Sequence, residues 1–206
     1  MSVKDDTKHI DNQDNNTSED KKRNGKTHPS IYVASLSDYN NGYLHGCWIR
    51  ADQEAEKIFA AIKAILKQSP YPLEAEEYAI HDYDGFGELR LEENDNIKQI
   101  AAVACNITKN GEPFEVWAGI VGLAEASTKD AEERFYESYI GCYEYKEDYV
   151  NELLWNCGID AELDKIVPSN LRSYFKFDTE MFIQDLEYEN YTFHRSDDGT
   201  IFVFCW

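Results

Sequence analysis

The chain has 206 residues, is 42% hydrophobic and 14% aromatic, and carries 40 acidic against 20 basic side chains, a formal net charge of −20. That apolar content predicts a folded chain rather than a charged disordered one, and no run approaches the ~18 apolar residues of a membrane span. The N-terminal MSVKDDTKHIDNQDNN lacks the apolar core of a secretory signal, so a cytoplasmic protein is expected.

Residues 1–29 are rich in Asp, Asn, Lys and Ser and read as a disordered polar arm. Its six basic residues (Lys4, Lys8, Lys21, Lys22, Arg23, Lys26) balance six acids, so residues 30–206 carry the whole −20. The run IYVASL from Ile31 predicts a strand, Asn40-Asn41-Gly42 a tight turn, and residues 43–49 a returning strand. Asp52 is placed to cap a helix whose apolar positions Ala55, Ile58, Phe59, Ile62, Ile65 and Leu66 recur at helical spacing until Ser69-Pro70. Residues 77–83 read as a third strand, which makes 30–92 an N-terminal lobe of sheet plus helix.

A helical middle lobe is expected over 93–126. Asn94 or Asp95 would cap a helix through Ile97, Ile100, Ala101, Val103 and Ala104, and a second helical stretch spans 114–126. Residues 127–206 form the acidic C-terminal lobe. There Ser127 and Asp130 suggest a capping pair for one long helix over 130–148, with Phe135, Tyr139, Ile140, Cys142 and Tyr143 on one face and Gly141 as a weak point. Helical turns at 153–156 and 169–177, a helix capped by Asp178, and a hairpin of 191–195 with 200–205 complete the chain. The fold class is α+β, an elongated chain of about three small lobes.

Several constellations tempt without holding. The segment from Asp82 through Asp84, Gly87 and Glu93 echoes a calcium-binding loop, but Phe86 stands where an oxygen ligand is needed, so a glycine-rich turn between strands is the stronger reading. His45 and Cys47 are two apart on a predicted strand with no third group to orient them. The five cysteines (Cys47, Cys105, Cys142, Cys157, Cys205) are scattered, which predicts free, mostly buried thiols rather than a zinc site or disulfides. His45, His81 and His194 lack metal-ligand spacing. The chain reads as non-catalytic, without cofactor, metal or small-molecule substrate.

The acidity itself is the remaining signal. Residues 125–164 hold twelve acids (Glu125, Asp130, Glu132, Glu133, Glu137, Glu144, Glu147, Asp148, Glu152, Asp160, Glu162, Asp164) against Lys129, Arg134 and Lys146. Like charges three or four apart on one helix repel, which is poor design for stability and sensible for facing a basic groove. Duplex DNA carries one charge per ~1.7 Å, so −20 corresponds to roughly 34 Å of duplex. On composition alone, acidity for solubility remains the stronger explanation.

The stretch IYVASLSDYNNGYLHGCWIRA at 31–51, with its core of Tyr39, Asn40, Gly42, Leu44, His45, Gly46 and Trp48, resembles the opening of the ArdA family of antirestriction proteins. EEYAIHDYDGFG at 76–87, VPSNLRSYFKFDTEMFIQDL at 167–186 and the closing YTFHRSDDGTIFVF fit the same family in the same order. The resemblance implies a curved, homodimeric α+β protein from a mobile genetic element. Such a protein imitates bent B-form DNA and blocks Type I restriction-modification enzymes at the groove of their specificity and methyltransferase subunits. It binds neither nucleic acid nor membrane, and the twelve acids are its first candidate phosphate mimics. The family's antirestriction segment aligns with about 158–178. Leu163, Ile166, Val167, Leu171, Tyr174 and Phe175 make that segment an apolar stripe, either a dimer contact or ordinary core. The alternative function is an acidic DNA-mimic regulator of another DNA-binding protein. The arm at 1–29 departs from the family pattern.

Overall fold

The protein is described by a computed structural model over residues 28–70 and 77–206; of the predicted polar arm, all but His28 and Pro29 lie outside the described residues. The fold is α+β, as expected. Strands β1 (Ser30–Ser35), β2 (Gly46–Arg50) and β3 (Tyr78–Asp84) form an antiparallel sheet in the order β2-β1-β3. The tight hairpin predicted between β1 and β2 is instead a longer connection holding a one-turn helix, α1 (Leu36–Asn40). Ser35 ends the strand and caps that turn, its hydroxyl accepting from the Asp38 amide. Gly42 still supplies a positive φ of 83° after it.

Helix α2 (Ala55–Lys67) turns Ile58 and Ile62 into the sheet. Its expected cap is wrong. Glu54 holds the N-cap position with no side-chain bond, and Asp52 is drawn away by stronger partners: Arg50 at 2.8 Å, His28 at 2.8 Å and the Thr108 hydroxyl at 3.1 Å. Charge-assisted bonds to a guanidinium outweigh a neutral cap. Thr108 belongs to α3 (Ile97–Asn110), so this knot ties the end of β2 to the middle of the chain. Helix α3 is capped by Asn96, one residue past the predicted choice, because Asp95 accepts from the Glu92 amide instead. The helical stretch expected at 114–126 is broken into α4 (Glu112–Val121) and α5 (Leu123–Ala126) by Gly122, at φ 84°.

The larger correction falls on 130–148, which is not one helix. It divides into α6 (Ala131–Ser138), β4 (Tyr139–Tyr143) and the start of α7 (Lys146–Asn156). Ser127 and Asp130 do not form the predicted capping pair: the Ser127 hydroxyl donates to the Ala124 carbonyl, and Asp130 makes no side-chain cap bond. Aromatic and β-branched residues in YIGCY favour a strand, and β4 finds its partner in β6 (Ile201–Cys205), about sixty residues on. Residues 169–177 hold only a 3-10 turn at Arg172–Tyr174, preceded by α8 (Ile159–Ile166). Helix α9 (Thr179–Tyr188) starts as predicted, Asp178 accepting from the Met181 amide at 3.0 Å, and β5 (Tyr191–Arg195) pairs with β6 in the expected hairpin.

The second sheet has the order β4-β6-β5, and its central strand divides two cores. Phe202 and Phe204 point into the first core, with Ile31, Ile58, Ile100, Phe114, Trp117 and Phe135. Ile201 and Val203 point the other way, against Tyr149, Val150, Ile183 and Leu186. A strand buried on both faces needs an unbroken apolar run, which IFVF supplies. Each of those four side chains contributes about 1.5–3 kcal/mol by leaving water. The cysteines contradict expectation: Cys47, Cys105, Cys142 and Cys157 are exposed and Cys205 is half-buried. Cys142 alternates outward on the edge strand β4, and Cys105 follows Ala104 onto the outer side of α3.

Candidate functional site

The acidic stretch runs from α5 through α6, α7 and α8 and the turns between them; the edge strand β4 carries none of the acids. Glu132 and Glu133 lie in the first turn of α6, Glu147 and Asp148 in the first turn of α7, and Asp160 and Glu162 in the first turn of α8. Each helix N-terminus carries partial positive charge, so these acids are stabilised where they stand. All twelve predicted carboxylates are exposed except Glu132, which is half-buried.

Their partners divide them into two groups. Glu125 is bound by Arg134, Glu132 by Lys109 at 2.6 Å, and Glu162 by Lys165 at 2.6 Å. Asp160 and Asp164 share the guanidinium of Arg172. The Lys109 hydrogen bond holds the Glu132 carboxyl below the usual carboxylate range, and the Asp164 and Asp160 carboxylates raise Arg172 in the same way. The other seven (Asp130, Glu133, Glu137, Glu144, Glu147, Asp148 and Glu152) form no ion pair with any described cation. Arg134 acts on Asp130 and Glu137 only from beyond ion-pair distance. Asp130 is held low chiefly by the Thr128 hydroxyl, and Asp148 accepts from the Tyr145 amide at 3.0 Å. Local hydrogen bonds such as these orient a carboxylate without neutralising it. The acids without an ion pair thus lie at 130–152: Asp130 just before α6, Glu133 and Glu137 on it, Glu144 between β4 and α7, and Glu147, Asp148 and Glu152 on α7.

The apolar stripe is not core within this chain. Helix α8 and the 3-10 turn contain no buried residue: Ile166 is 76% exposed, Tyr174 80%, and Leu171 and Phe175 about half, while Leu163 and Val167 are half-buried. Trp155, Ile159, Phe177 and Met181 extend the exposed apolar surface on either side. Many large apolar side chains are thus left open to solvent along residues 155–181. The acids beside it, Asp160, Glu162 and Asp164, are the ones already paired.

The tempting loop begins on β3 itself, which holds Asp82 and Asp84. Phe86 is buried in the first core, Asp82 accepts from the Tyr83 amide at 2.8 Å, and Gly85 and Gly87 take positive φ. It leads to α3, not to another strand as expected. Among the described residues no group of three or more His, Cys, Asp or Glu is arranged to hold a metal. His45 serves the scaffold, one ring nitrogen lying 2.8 Å from the Ile65 carbonyl near the end of α2. Gly46 is required by close approach, since a Cβ there would lie 2.4 Å from the Val33 carbonyl oxygen. Sequence reasoning missed the Asp52 knot; Arg50-x-Asp52 hinted at the pair, but nothing pointed to Thr108.

No helix among the described residues is long and apolar enough to cross a membrane. Fold and surface together define an acidic α+β protein with an unneutralised carboxylate region next to an uncovered apolar one. The chain belongs to the ArdA family: the family model described as Antirestriction protein (ArdA) matches residues 31–200. Comparison with curated proteins gives no match.

Proposed function

We propose that this antirestriction protein acts as a stoichiometric imitation of B-form DNA, occupying the DNA-binding groove of a Type I restriction-modification enzyme without turnover. The observation that carries the reading is the set of seven exposed carboxylates at 130–152, none of them in an ion pair with a described cation. Lysines and arginines that otherwise bind phosphate gain the same Coulomb attraction from such a surface. Spread over α6, the turn after β4 and α7, the acids do not lie on one continuous helical line. The exposed stripe on α8 and the 3-10 turn supports a homodimer, which would double the charged length. Membership of an antirestriction family makes restriction-modification enzymes the natural partners.

The test is competition. Purified chain is titrated into a Type I methyltransferase core bound to labelled DNA at several salt concentrations. Displacement at stoichiometric protein, weakening as salt rises, is expected. Intact DNA binding at low micromolar protein would sink the proposal. Displacement from unrelated DNA-binding proteins, but not from this core, would instead favour a regulator of another target.

A further inference from the structure

A contact far in sequence from the acidic stretch holds a carboxyl group that the proposed function does not use. Glu115 stands in the first turn of α4, half-buried, with its carboxyl against the backbone of Gly87. A Cβ at Gly87 would lie 2.5 Å from Glu115 Oε1 and 2.6 Å from its Cγ, and the φ of +57° there also favours glycine. One turn further along α4, a Cβ on Gly119 would lie 3.2 Å from the Glu88 Cβ. Helix and loop are thus pressed together at two glycines. Glu88 then reaches out of the loop to His194 on β5, 3.4 Å away, an ion pair only when the imidazole carries its proton. The contact therefore joins the loop after the N-terminal sheet to α4 and to the C-terminal sheet.

The charged groups around it are mostly of one sign: Glu112 on the same helix, Asp84 at the end of β3, and Glu88 in the loop, with His194 behind it. We propose that this contact is a pH-responsive joint. With Glu115 neutral, α4 packs down on residues 85–89; with Glu115 ionised, repulsion from Glu112 and Asp84 loosens the loop and its Glu88–His194 link to the second sheet. Burial first, then the charges of Glu112 and Asp84, push the Glu115 carboxyl up to about 7, against the lowering a helix N-terminus exerts. The joint is firm below that pH and loosens above it, because ionisation adds a negative charge beside those of Glu112 and Asp84. This inference does not depend on the DNA-imitation reading.

The test uses the full chain. Carbon-detected NMR follows the Glu115 carboxyl through pH, and amide hydrogen exchange follows residues 85–89, corrected for intrinsic rates. A Glu115 midpoint near neutrality is expected, with protection at 85–89 falling roughly tenfold between about pH 6 and about pH 8. Glu115→Gln should keep protection high and level across that range. Asp84→Asn should move the midpoint toward acid, a second readout if the glutamine variant folds poorly. A Glu115 midpoint near the ordinary ~4.3, or the same pH dependence of exchange in Glu115→Gln, would overturn the joint.

Discussion

Replacing Ile166 by alanine should weaken self-association by roughly 30- to 1000-fold while leaving the fold untouched. Ile166 is 76% exposed on a helix without a buried residue, so its side chain contributes little to the stability of one chain. Full burial of an isoleucine side chain is worth about 1.5–3 kcal/mol, and the exposed share leaves about 1–2 kcal/mol to be gained in a contact. In a two-fold interface each substitution counts twice, giving about 2–4 kcal/mol per dimer, or roughly 30- to 1000-fold in Kd. Charge does not oppose closure strongly there, since Arg172 and Lys165 already hold the three flanking acids. Sedimentation equilibrium over a wide concentration range measures the constant, and urea unfolding of the monomer should change by less than about 0.5 kcal/mol. A monomeric parent, or a Kd that moves less than threefold, would refute the assignment of this stripe to the dimer.

Changing Glu133, Glu137, Glu144 and Glu147 together to glutamine should weaken binding to the Type I methyltransferase core and flatten its salt dependence, whereas Glu137→Gln alone should do little, as seen by competition at several salt concentrations. Asp52→Asn should cost about 2–3 kcal/mol at neutral pH in urea unfolding, because Arg50, His28 and Thr108 all lose a carboxylate partner. Burial pushes the Asp52 carboxyl up, but the bonds from Arg50 and His28 outweigh it and hold its pKa low. Its contribution is therefore present above the ordinary aspartate range and lost as pH falls through the depressed native value, so parent and variant should converge in strong acid. Phe204→Ala should cost about 3–5 kcal/mol by calorimetry or urea unfolding, since that ring is fully buried in the first core on the strand that divides the two.

What was legible in the sequence was what local chemistry decides. β1, α2, α3, the Asp178 cap and the β5–β6 hairpin follow from period, capping residue and turn, and they stand where expected. The failures share one cause, a distant partner that outcompetes the local pattern. Phe135 and Tyr139 are four apart, as a helix would have them, and their rings do stack at 5.3 Å, yet the chain leaves the helix at Tyr139 to pair with Phe204. Asp52 has the chemistry of a cap and is taken by Arg50 and Thr108. The acidic composition of 125–164 was plain from the sequence, but which acids remain unneutralised was not. Lys109 and Arg172, which claim Glu132, Asp160 and Asp164, stand outside that stretch.

Breaking the acidic stretch also reduces the difficulty it posed as a helix. One continuous helix over 130–148 would set Glu133 and Glu137 four apart with Glu144, Glu147 and Asp148 following, each pair repelling by about 0.2–0.5 kcal/mol, and only the first turn would feel a favourable dipole. Three short helices offer three N-termini. Glu132, Glu133, Glu147, Asp148, Asp160 and Glu162 all fall in first turns, where an exposed carboxylate gains about 0.3–1 kcal/mol. The strand between α6 and α7 takes the α7 acids out of the α6 register, although Glu133 and Glu137 remain four apart on α6 and Asp148 and Glu152 on α7. A surface that must keep its negative charge free of internal cations can thus do so on helix N-termini and still fold. The same geometry means that extending α6 through Tyr139 would stabilise the helix locally yet bring the acids back into repulsion and strip β6 of its β4 partner.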